Sequence, residues 1–169
     1  MSIEKTAFAF AAAAHYAVGQ KRKYSGDDYI VHPIRVAQTV KQFGGNDDMV
    51  AAAYLHDVVE DTQVNLDIVT GMFGSVVGKL VDDLTDVSVP SDGNRVARKA
   101  IDREHLANAS TDAQFIKCAD IIDNSSDIAD NDPAFWKVYK QEMQLLLDVM
   151  TKVKNTDIWN KAKESVDKG

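Results

Sequence analysis

A succession of helix-compatible segments, divided by short glycine-, proline- and asparagine-rich breaks, limits what this chain can fold into. Between these breaks no run alternates apolar and polar residues in the way that marks a half-buried strand. The spacing predicts helices over residues 3–20, 33–43, 46–60, 65–72, 75–86, 92–108, 111–130, 132–151 and 156–167. The sequence therefore predicts an all-α fold, a helical bundle without internal repeats. We interpret its 169 residues as a single domain.

The first segment is apolar enough to resemble the core of a signal peptide. Its residues 8–14 contain only phenylalanine and alanine, but Glu4 precedes them and no convincing cleavage site follows. An amphipathic helix with Phe10, Ala14 and Ala17 on its core side is the better interpretation. No apolar run is long enough to span a membrane. We therefore expect a cytoplasmic protein with no membrane partner.

The charge and the cysteine count exclude other classes of protein. A net charge of −7 argues against nucleic acid as a partner, because proteins that bind its backbone usually present a basic face. The single cysteine, Cys118, excludes a disulfide scaffold and is expected to lie in the core. A small anionic ligand held by a metal ion is compatible with this charge. The sequence does not decide whether the chain forms a homo-oligomer.

An acidic cluster ends the predicted helix 46–60, for which Asn46 is placed as the N-cap. On a continuous helix, His56 lies one turn before Glu60, and Asp57 lies one turn before Asp61. Three carboxylates this close are unfavourable unless a positive group lies among them. A divalent metal ion is one such group. The other interpretation is an acidic helix face exposed to solvent, which is common in proteins.

Two further segments supply candidate ligands. In the segment 29–33, Pro33 suits the first position of a helix, which would place His32 at the N-cap. Asp120 lies in a mostly apolar helical segment, where an ionised carboxylate rarely lacks a partner, and Asn124 follows one turn later. The combined candidate ligands are His32, His56, Asp57 and Asp120. Such a mixed nitrogen and oxygen set suits Mn²⁺, Fe²⁺ or Zn²⁺ better than Ca²⁺.

The order of a histidine, a His-Asp pair and a later aspartate resembles the signature of HD-domain metal-dependent phosphohydrolases. The motifs at 29–33, 55–62 and 117–124 are similar to those of Rel/Spo-type small alarmone hydrolases, and the resemblance extends from about Phe8 to about Asp130. It implies an HD-domain helical bundle that removes the 3′-pyrophosphate of guanosine tetra- and pentaphosphate, usually with manganese. It also implies that the ligands of one metal ion are His32, His56, Asp57 and Asp120.

The resemblance implies roles for residues around the metal as well. Glu60 and Asp61 match the acidic pair that positions or activates the attacking water. Asn124 matches an asparagine that contacts the nucleotide. Arg22 and Lys23, in the basic run 21–23, match a segment near the substrate phosphates. Without the resemblance, this basic run would be interpreted as a solvated loop.

The chemistry of the predicted site agrees with hydrolysis of a phosphate ester. A bound metal ion polarises a phosphoryl oxygen and lowers the pKa of its water from about 16 towards 7. A carboxylate nearby, Glu60 or Asp61, is suited to act as the general base.

Two departures keep a second hypothesis open, because Ile121 and Ser126 stand where the small hydrolases have a lysine and an arginine. That hypothesis is an HD phosphohydrolase for another nucleotide or alarmone. A third, a non-catalytic metal-binding regulatory domain, is less favoured because every predicted ligand and both acidic residues are retained.

Overall fold

The computed structural model describes residues 2–168, and its regular structure is helical. The α-helices are α1 (Ile3–Ala17), α2 (Val31–Gln42), α3 (Asp47–Leu55), α4 (Val58–Asp61), α5 (Leu66–Leu84), α6 (Arg95–Asn108), α7 (Thr111–Asn131), α8 (Pro133–Val149) and α9 (Asp157–Asp167). A 3₁₀ turn, Pro90–Asp92, precedes α6. Residues 2–168 contain no β-strand, so the predicted all-α fold is confirmed.

Polar side chains begin most of these helices. Each accepts a hydrogen bond from a backbone amide three residues later, which satisfies a donor that the first turn leaves without a partner. The capping residues are Ser2, Asn46, Asn65, Asn94, Ser110, Asp132 and Thr156. The cap predicted at Asn46 is confirmed, because its Oδ1 accepts from the amide of Met49 at 3.0 Å.

The chain divides into two compact units, Met1–Thr85 and Asp86–Gly169. In the first unit, α3 packs against α1, α2 and α5, and its apolar residues 49–53 and Leu55 are buried. In the second unit, α7 packs against α8 and α9 and buries Cys118 in the predicted manner. The interpretation of 1–169 as a single domain stays a prediction. No helix within residues 2–168 has the length and apolar character that crossing a membrane requires.

The buried face of α1 differs from the predicted one. Ala7, Ala11 and His15 are the residues that are fully buried, whereas Ala17 is exposed and ends the helix three residues before the predicted boundary. Residues spaced by four lie along one ridge of a helix, and here that ridge faces the core. The predicted core residues Phe10, Ala14 and Ala17 therefore lie on a neighbouring ridge, and His15 was not predicted to be buried.

Helix α2 begins at Val31, two residues before the predicted start. His32 consequently lies in the first turn and is not the N-cap, a position that Ile30 takes without a side-chain hydrogen bond. The amide of His32 donates to the carbonyl of Tyr29 at 3.0 Å, so a tight turn starts the helix ahead of Pro33. Proline is tolerated there because a first-turn residue needs no intrahelical N–H donor.

The predicted helix 46–60 is interrupted at His56 and Asp57, which separate α3 from α4. The His56 imidazole donates to the carbonyl of Ala53, which is the acceptor that the Asp57 amide would use in a continuous helix. Within α5, Gly74 has a non-helical backbone, with φ of 89° and ψ of 167°, a conformation that favours glycine. This kink divides α5 where the sequence predicts separate helices over 65–72 and 75–86, so the break predicted there is confirmed.

Candidate metal centre

The first unit brings three ligand-type side chains together. His32 comes from the first turn of α2, while His56 and Asp57 form the break between α3 and α4. One nitrogen or oxygen atom of each lies within 4.8 Å of the others. Asp57 Oδ2 is 3.0 Å from His56 Nε2 and 3.7 Å from His32 Nε2. The structure therefore assembles three of the four predicted metal ligands from two separate segments.

Hydrogen bonding fixes which nitrogen of His56 faces the cluster. Its Nδ1 lies 2.7 Å from the Ala53 carbonyl oxygen, which can only accept, so Nδ1 carries the proton. In the neutral ring, Nε2 then presents a lone pair towards the Asp57 carboxylate. Two acceptors at 3.0 Å are favourable when a proton or a metal cation lies between them. The group of His32, His56 and Asp57 therefore fits a divalent metal ion.

Tyr29 holds the carboxylate of this group. Its hydroxyl donates to Asp57 Oδ2 at 2.6 Å, and its ring stands edge-on to that of His32, with centroids 5.8 Å apart. Such outer partners orient ligating side chains and tune their basicity. From the sequence, Tyr29 was recognised only as part of the motif 29–33. Its role could have been inferred from its position three residues before His32. The tight turn at the start of α2 brings the Tyr29 side chain back over the site.

The acidic residue at the end of α4 is also held in place. Asp61 Oδ2 accepts from Gln20 Nε2 at 2.9 Å, and Gln20 Oε1 lies 2.7 Å from Nδ1 of the buried His15. Partial burial raises the pKa of the Asp61 carboxyl, the Gln20 hydrogen bond opposes this, and the charge of Asp57 adds to the rise. Burial lowers the pKa of His15, which favours its neutral form. Glu60 and Asp61 are both exposed residues of α4, so burial shields the Asp61 carboxylate only in part.

His15 and Gln20 were missed by the sequence analysis. Gln20 was assigned to the end of the first helix, whereas the structure places it in the loop 18–30. Its partner Asp61 is 41 residues away in the chain, a separation at which helical periodicity carries no information.

The basic residues Arg22 and Lys23 lie in the same loop. The Arg22 guanidinium is 5.8 Å from the centre of the Tyr29 ring, whose hydroxyl binds Asp57. This distance permits a cation–π contact and places a positive charge one side chain away from the ligand group. Lys23 is exposed, with its ammonium 4.9 Å from the Tyr24 ring. Contact of either residue with substrate stays a prediction.

The fourth predicted ligand, Asp120, belongs to the second unit. It is buried on α7, where Oδ2 pairs with the Lys117 ammonium at 2.7 Å and Oδ1 accepts from Asn124 Nδ2 at 2.7 Å. Burial by itself would lower the pKa of Lys117, but the charges of Asp120 and Asp86 and the hydrogen bond to Asp120 together outweigh it and hold that pKa above its ordinary value. The role of Asp120 as a ligand and that of Asn124 at the nucleotide stay predictions.

The two departures from the small-hydrolase pattern have different surroundings. Ile121 is fully buried in the core of the second unit, whereas Ser126 is exposed. At position 121 an apolar residue suits the core position, since an unpaired buried ammonium is costly. The departure that changes surface charge is therefore Ser126.

A family model described as an HD domain matches residues 7–151, a range that contains all the predicted site residues. The chain belongs to the HD-domain family. The resemblance drawn from the motifs is thereby confirmed. Family membership implies use of a divalent metal ion, and the group of His32, His56 and Asp57 provides ligands of the required type.

Known relatives and a solved structure agree with this assignment. The human protein named guanosine-3′,5′-bis(diphosphate) 3′-pyrophosphohydrolase MESH1 is 37% identical over 135 residues, which cover 78% of this chain and 72% of the human protein. A probable enzyme of the same activity from Synechocystis is 42% identical over 82 residues, 48% of this chain but only 10% of that protein. A solved structure titled as a metazoan ortholog of SpoT that hydrolyses ppGpp is 29% identical, with a TM-score of 0.83, covering 98% of this chain and 94% of that one. The HD-domain helical fold is therefore confirmed.

Proposed function

We propose that this protein is a metal-dependent phosphohydrolase that removes the 3′-pyrophosphate of guanosine tetra- and pentaphosphate, leaving GDP or GTP. The observation that carries the proposal is the convergence of His32, His56 and Asp57 within 4.8 Å. The names of the human relative and of the metazoan structure supply the substrate. This chain covers most of both proteins, so the likeness concerns their whole HD domain and not one motif.

The metal that we propose is one Mn²⁺ ion, with Asp120 as the fourth ligand beside His32, His56 and Asp57. Two imidazole nitrogens and two carboxylates suit Mn²⁺, although Fe²⁺ and Zn²⁺ accept the same donors. When bound, the metal would polarise a phosphoryl oxygen and supply a water of lowered pKa. Tyr29 keeps Asp57 oriented towards the two imidazoles by donating to Oδ2.

Asp61 and Glu60 are the residues that we assign to the attacking water. The water oxygen bonds to the phosphorus attached to the 3′-oxygen, and the bond from that phosphorus to the 3′-oxygen breaks. A carboxylate takes one proton of the water, the departing 3′-oxygen takes a proton from solvent, and the products are the 3′-hydroxyl nucleotide and pyrophosphate. The raised pKa of Asp61 makes this carboxylate a better proton acceptor near neutral pH.

We assign substrate binding to Arg22, Lys23 and Asn124. A chain with a net charge of −7 must bind a highly anionic nucleotide through local positive charge. The loop 18–30 supplies such charge next to Tyr29, through the Arg22 guanidinium. A nucleotide substrate of this kind also suits the cytoplasm as the compartment in which the protein acts.

The test is turnover of guanosine tetraphosphate by metal-stripped protein, with and without added Mn²⁺, followed by chromatography of the products. Manganese-dependent formation of GDP and pyrophosphate in equal amounts is the expected result. Release of orthophosphate instead would mean that a different bond is cleaved.

A parallel panel of nucleotides and adenosine alarmones tests the second candidate function, an HD phosphohydrolase for another nucleotide. The exposed Ser126 favours this candidate, since the small hydrolases have a cation there. Faster metal-dependent turnover of another nucleotide would reassign the substrate while keeping the metal site. No turnover of any nucleotide with any of the three metals would contradict the proposed function.

A further inference from the structure

A chain of hydrogen bonds connects the buried face of α1 to the acidic residue at the end of α4. It runs from His15 Nδ1 to Gln20 Oε1 over 2.7 Å, and from Gln20 Nε2 to Asp61 Oδ2 over 2.9 Å. We infer that His15 and Gln20 are positioning residues that act through Asp61, by fixing one of its carboxylate oxygens so that the other is directed at the water. This inference rests on the proposed function, which gives Asp61 the proton of that water.

The direction of each hydrogen bond follows from Asp61. An ionised carboxylate can only accept, so the Gln20 amide must turn its nitrogen towards Asp61 and its oxygen towards His15. That oxygen also can only accept, so His15 must carry its proton on Nδ1. The three side chains therefore have one consistent arrangement, and an amide rotated by 180° would place two acceptors against each other.

Gln20 is held by its backbone as well as by its side chain. Its amide donates to the carbonyl of His15 at 3.1 Å, and its carbonyl accepts from the amide of Tyr29 at 3.3 Å. A bridge between Lys21 and Asp28 closes the loop immediately beyond it. A side chain on such a fixed backbone loses little further entropy when it orients a neighbour, which is what a positioning residue requires.

Packing alone does not account for a histidine at position 15. The residue is 1% exposed and shares its ridge of α1 with Ala7 and Ala11. Its Nε2 is buried and has no hydrogen-bond partner within residues 2–168. An unsatisfied buried polar atom destabilises the fold, so an apolar residue would pack here at lower cost. The imidazole is explained if its Nδ1 proton is needed to orient Gln20.

The test is a double-mutant cycle on Gln20 and Asp61 in the full chain. Gln20→Met keeps the shape of the side chain but removes both hydrogen bonds, and we expect it to lower kcat about 10- to 100-fold. KM and the Kd for Mn²⁺, measured by calorimetry without substrate, should change less than about two-fold. In an Asp61→Asn background the same substitution should have no further effect on kcat, because its target is already lost.

Matched variants separate positioning from structural damage. Gln38→Met makes the same substitution at an exposed site on α2 and should leave all three parameters unchanged. His15→Asn keeps a donor near the position of Nδ1 and should retain more turnover than His15→Phe, which fills the same space without a donor. Independent, multiplicative effects of Gln20→Met and Asp61→Asn would overturn the inference. So would an unchanged kcat in Gln20→Met, or a loss of Mn²⁺ affinity that matches the loss of turnover.

Two-bond ¹H–¹⁵N NMR spectra of the metal-free protein decide the inference if the proposed function fails. The expected result is a neutral His15 with its proton on Nδ1 and a signal that shifts in both Gln20→Met and Asp61→Ala. A proton on Nε2, or a His15 signal that Asp61→Ala leaves unchanged, would overturn the inference whatever the turnover. A wild-type protein that shows the expected spectrum but hydrolyses no nucleotide would contradict the proposed function and leave the connection to Asp61 supported.

Discussion

The two carboxylates predicted to share one metal ion have opposite surroundings in their respective units. Asp57 Oδ2 meets the Nε2 atoms of two histidines and the hydroxyl of Tyr29. Asp120 Oδ2 meets the ammonium of Lys117, on the same helix. Asp57 therefore lies beside two imidazoles, which can bind a metal cation when they are neutral. The negative charge of Asp120 is instead already balanced by the Lys117 ammonium.

The two carboxylates predicted to be metal ligands are therefore stabilised differently before any metal binds. At Asp57 the fold brings lone pairs together, which is favourable only when a proton or a metal ion joins them. At Asp120 a buried carboxylate stays ionised because Lys117 compensates it, and a metal would have to compete with or replace that ammonium. Substitutions at Asp57 should therefore act mainly on metal binding, and substitutions around Asp120 should act first on stability.

The largest effect is expected from Asp57→Ala. Removing this carboxylate deletes the only oxygen ligand of the group His32, His56 and Asp57, so metal binding and turnover should be abolished together. Calorimetric titration with Mn²⁺ and the nucleotide assay measure the two losses on one preparation. Asp67→Ala, which removes an exposed carboxylate in the first turn of α5, is the control and should retain both. Full Mn²⁺ affinity in Asp57→Ala would show that the ion binds elsewhere.

The second-largest effect is expected from substitutions that remove the general base but keep the metal ligands. Glu60→Gln and Asp61→Asn should each spare Mn²⁺ binding and lower kcat by about 10²–10⁴, the usual contribution of general acid–base assistance. Because Gln20 orients Asp61 by a hydrogen bond, the larger loss is expected in Asp61→Asn. Steady-state kinetics at saturating Mn²⁺ measures both. A variant that keeps wild-type kcat excludes its residue as the base.

Much of this arrangement was predictable from sequence, and the part that was not has a physical reason. His32, His56 and Asp57 carry their chemistry in short motifs, and Asn46 carries its cap in its residue type. The start of α2 and the break after α3 depend on backbone turns that side-chain patterns do not encode. The contact of Gln20 with Asp61 depends on tertiary packing between distant segments. Sequence periodicity therefore predicted most of the helices and short motifs predicted the candidate ligands, while the residues that orient these side chains required the structure.

A third prediction concerns stability in the second unit. Lys117→Met should lower the free energy of unfolding of the metal-free protein by about 3–5 kcal/mol, because it leaves Asp120, 7% exposed, without its cation. If Asp120 is a metal ligand, Mn²⁺ should stabilise Lys117→Met more than it stabilises the wild type, and so restore part of this difference. Urea denaturation with and without Mn²⁺ measures both the loss of unfolding free energy and its recovery. Lys161→Met breaks a similarly spaced pair with Glu164, whose side chains are 45% and 48% exposed, and should change stability little.

If Lys117→Met proves as stable as Lys161→Met, the account of Asp120 as a carboxylate neutralised by its own unit is wrong. If the destabilisation appears but Mn²⁺ does not reduce it, Asp120 is paired with Lys117 but does not bind the metal.

The smallest effect is expected at the hydroxyl that orients Asp57. Tyr29→Phe removes the 2.6 Å hydrogen bond while keeping the ring against His32, so Mn²⁺ affinity should fall by about ten-fold. Competition with a metal chelator measures the change in Kd. Tyr16→Phe is the matched control, since the Tyr16 side chain is 79% exposed. Equal affinities in the two variants would mean that Asp57 needs no orienting partner.

The central claim is that His32, His56 and Asp57 bind the catalytic metal. Anomalous diffraction near the manganese absorption edge, from crystals of the protein grown with Mn²⁺, tests it most directly. We expect a peak at about 2.2 Å from His32 Nε2, His56 Nε2 and an Asp57 carboxylate oxygen. A carboxylate oxygen of Asp120 in the same coordination shell would identify the fourth ligand. A protein that hydrolyses guanosine tetraphosphate with Mn²⁺ but shows no peak at these three residues would contradict the account.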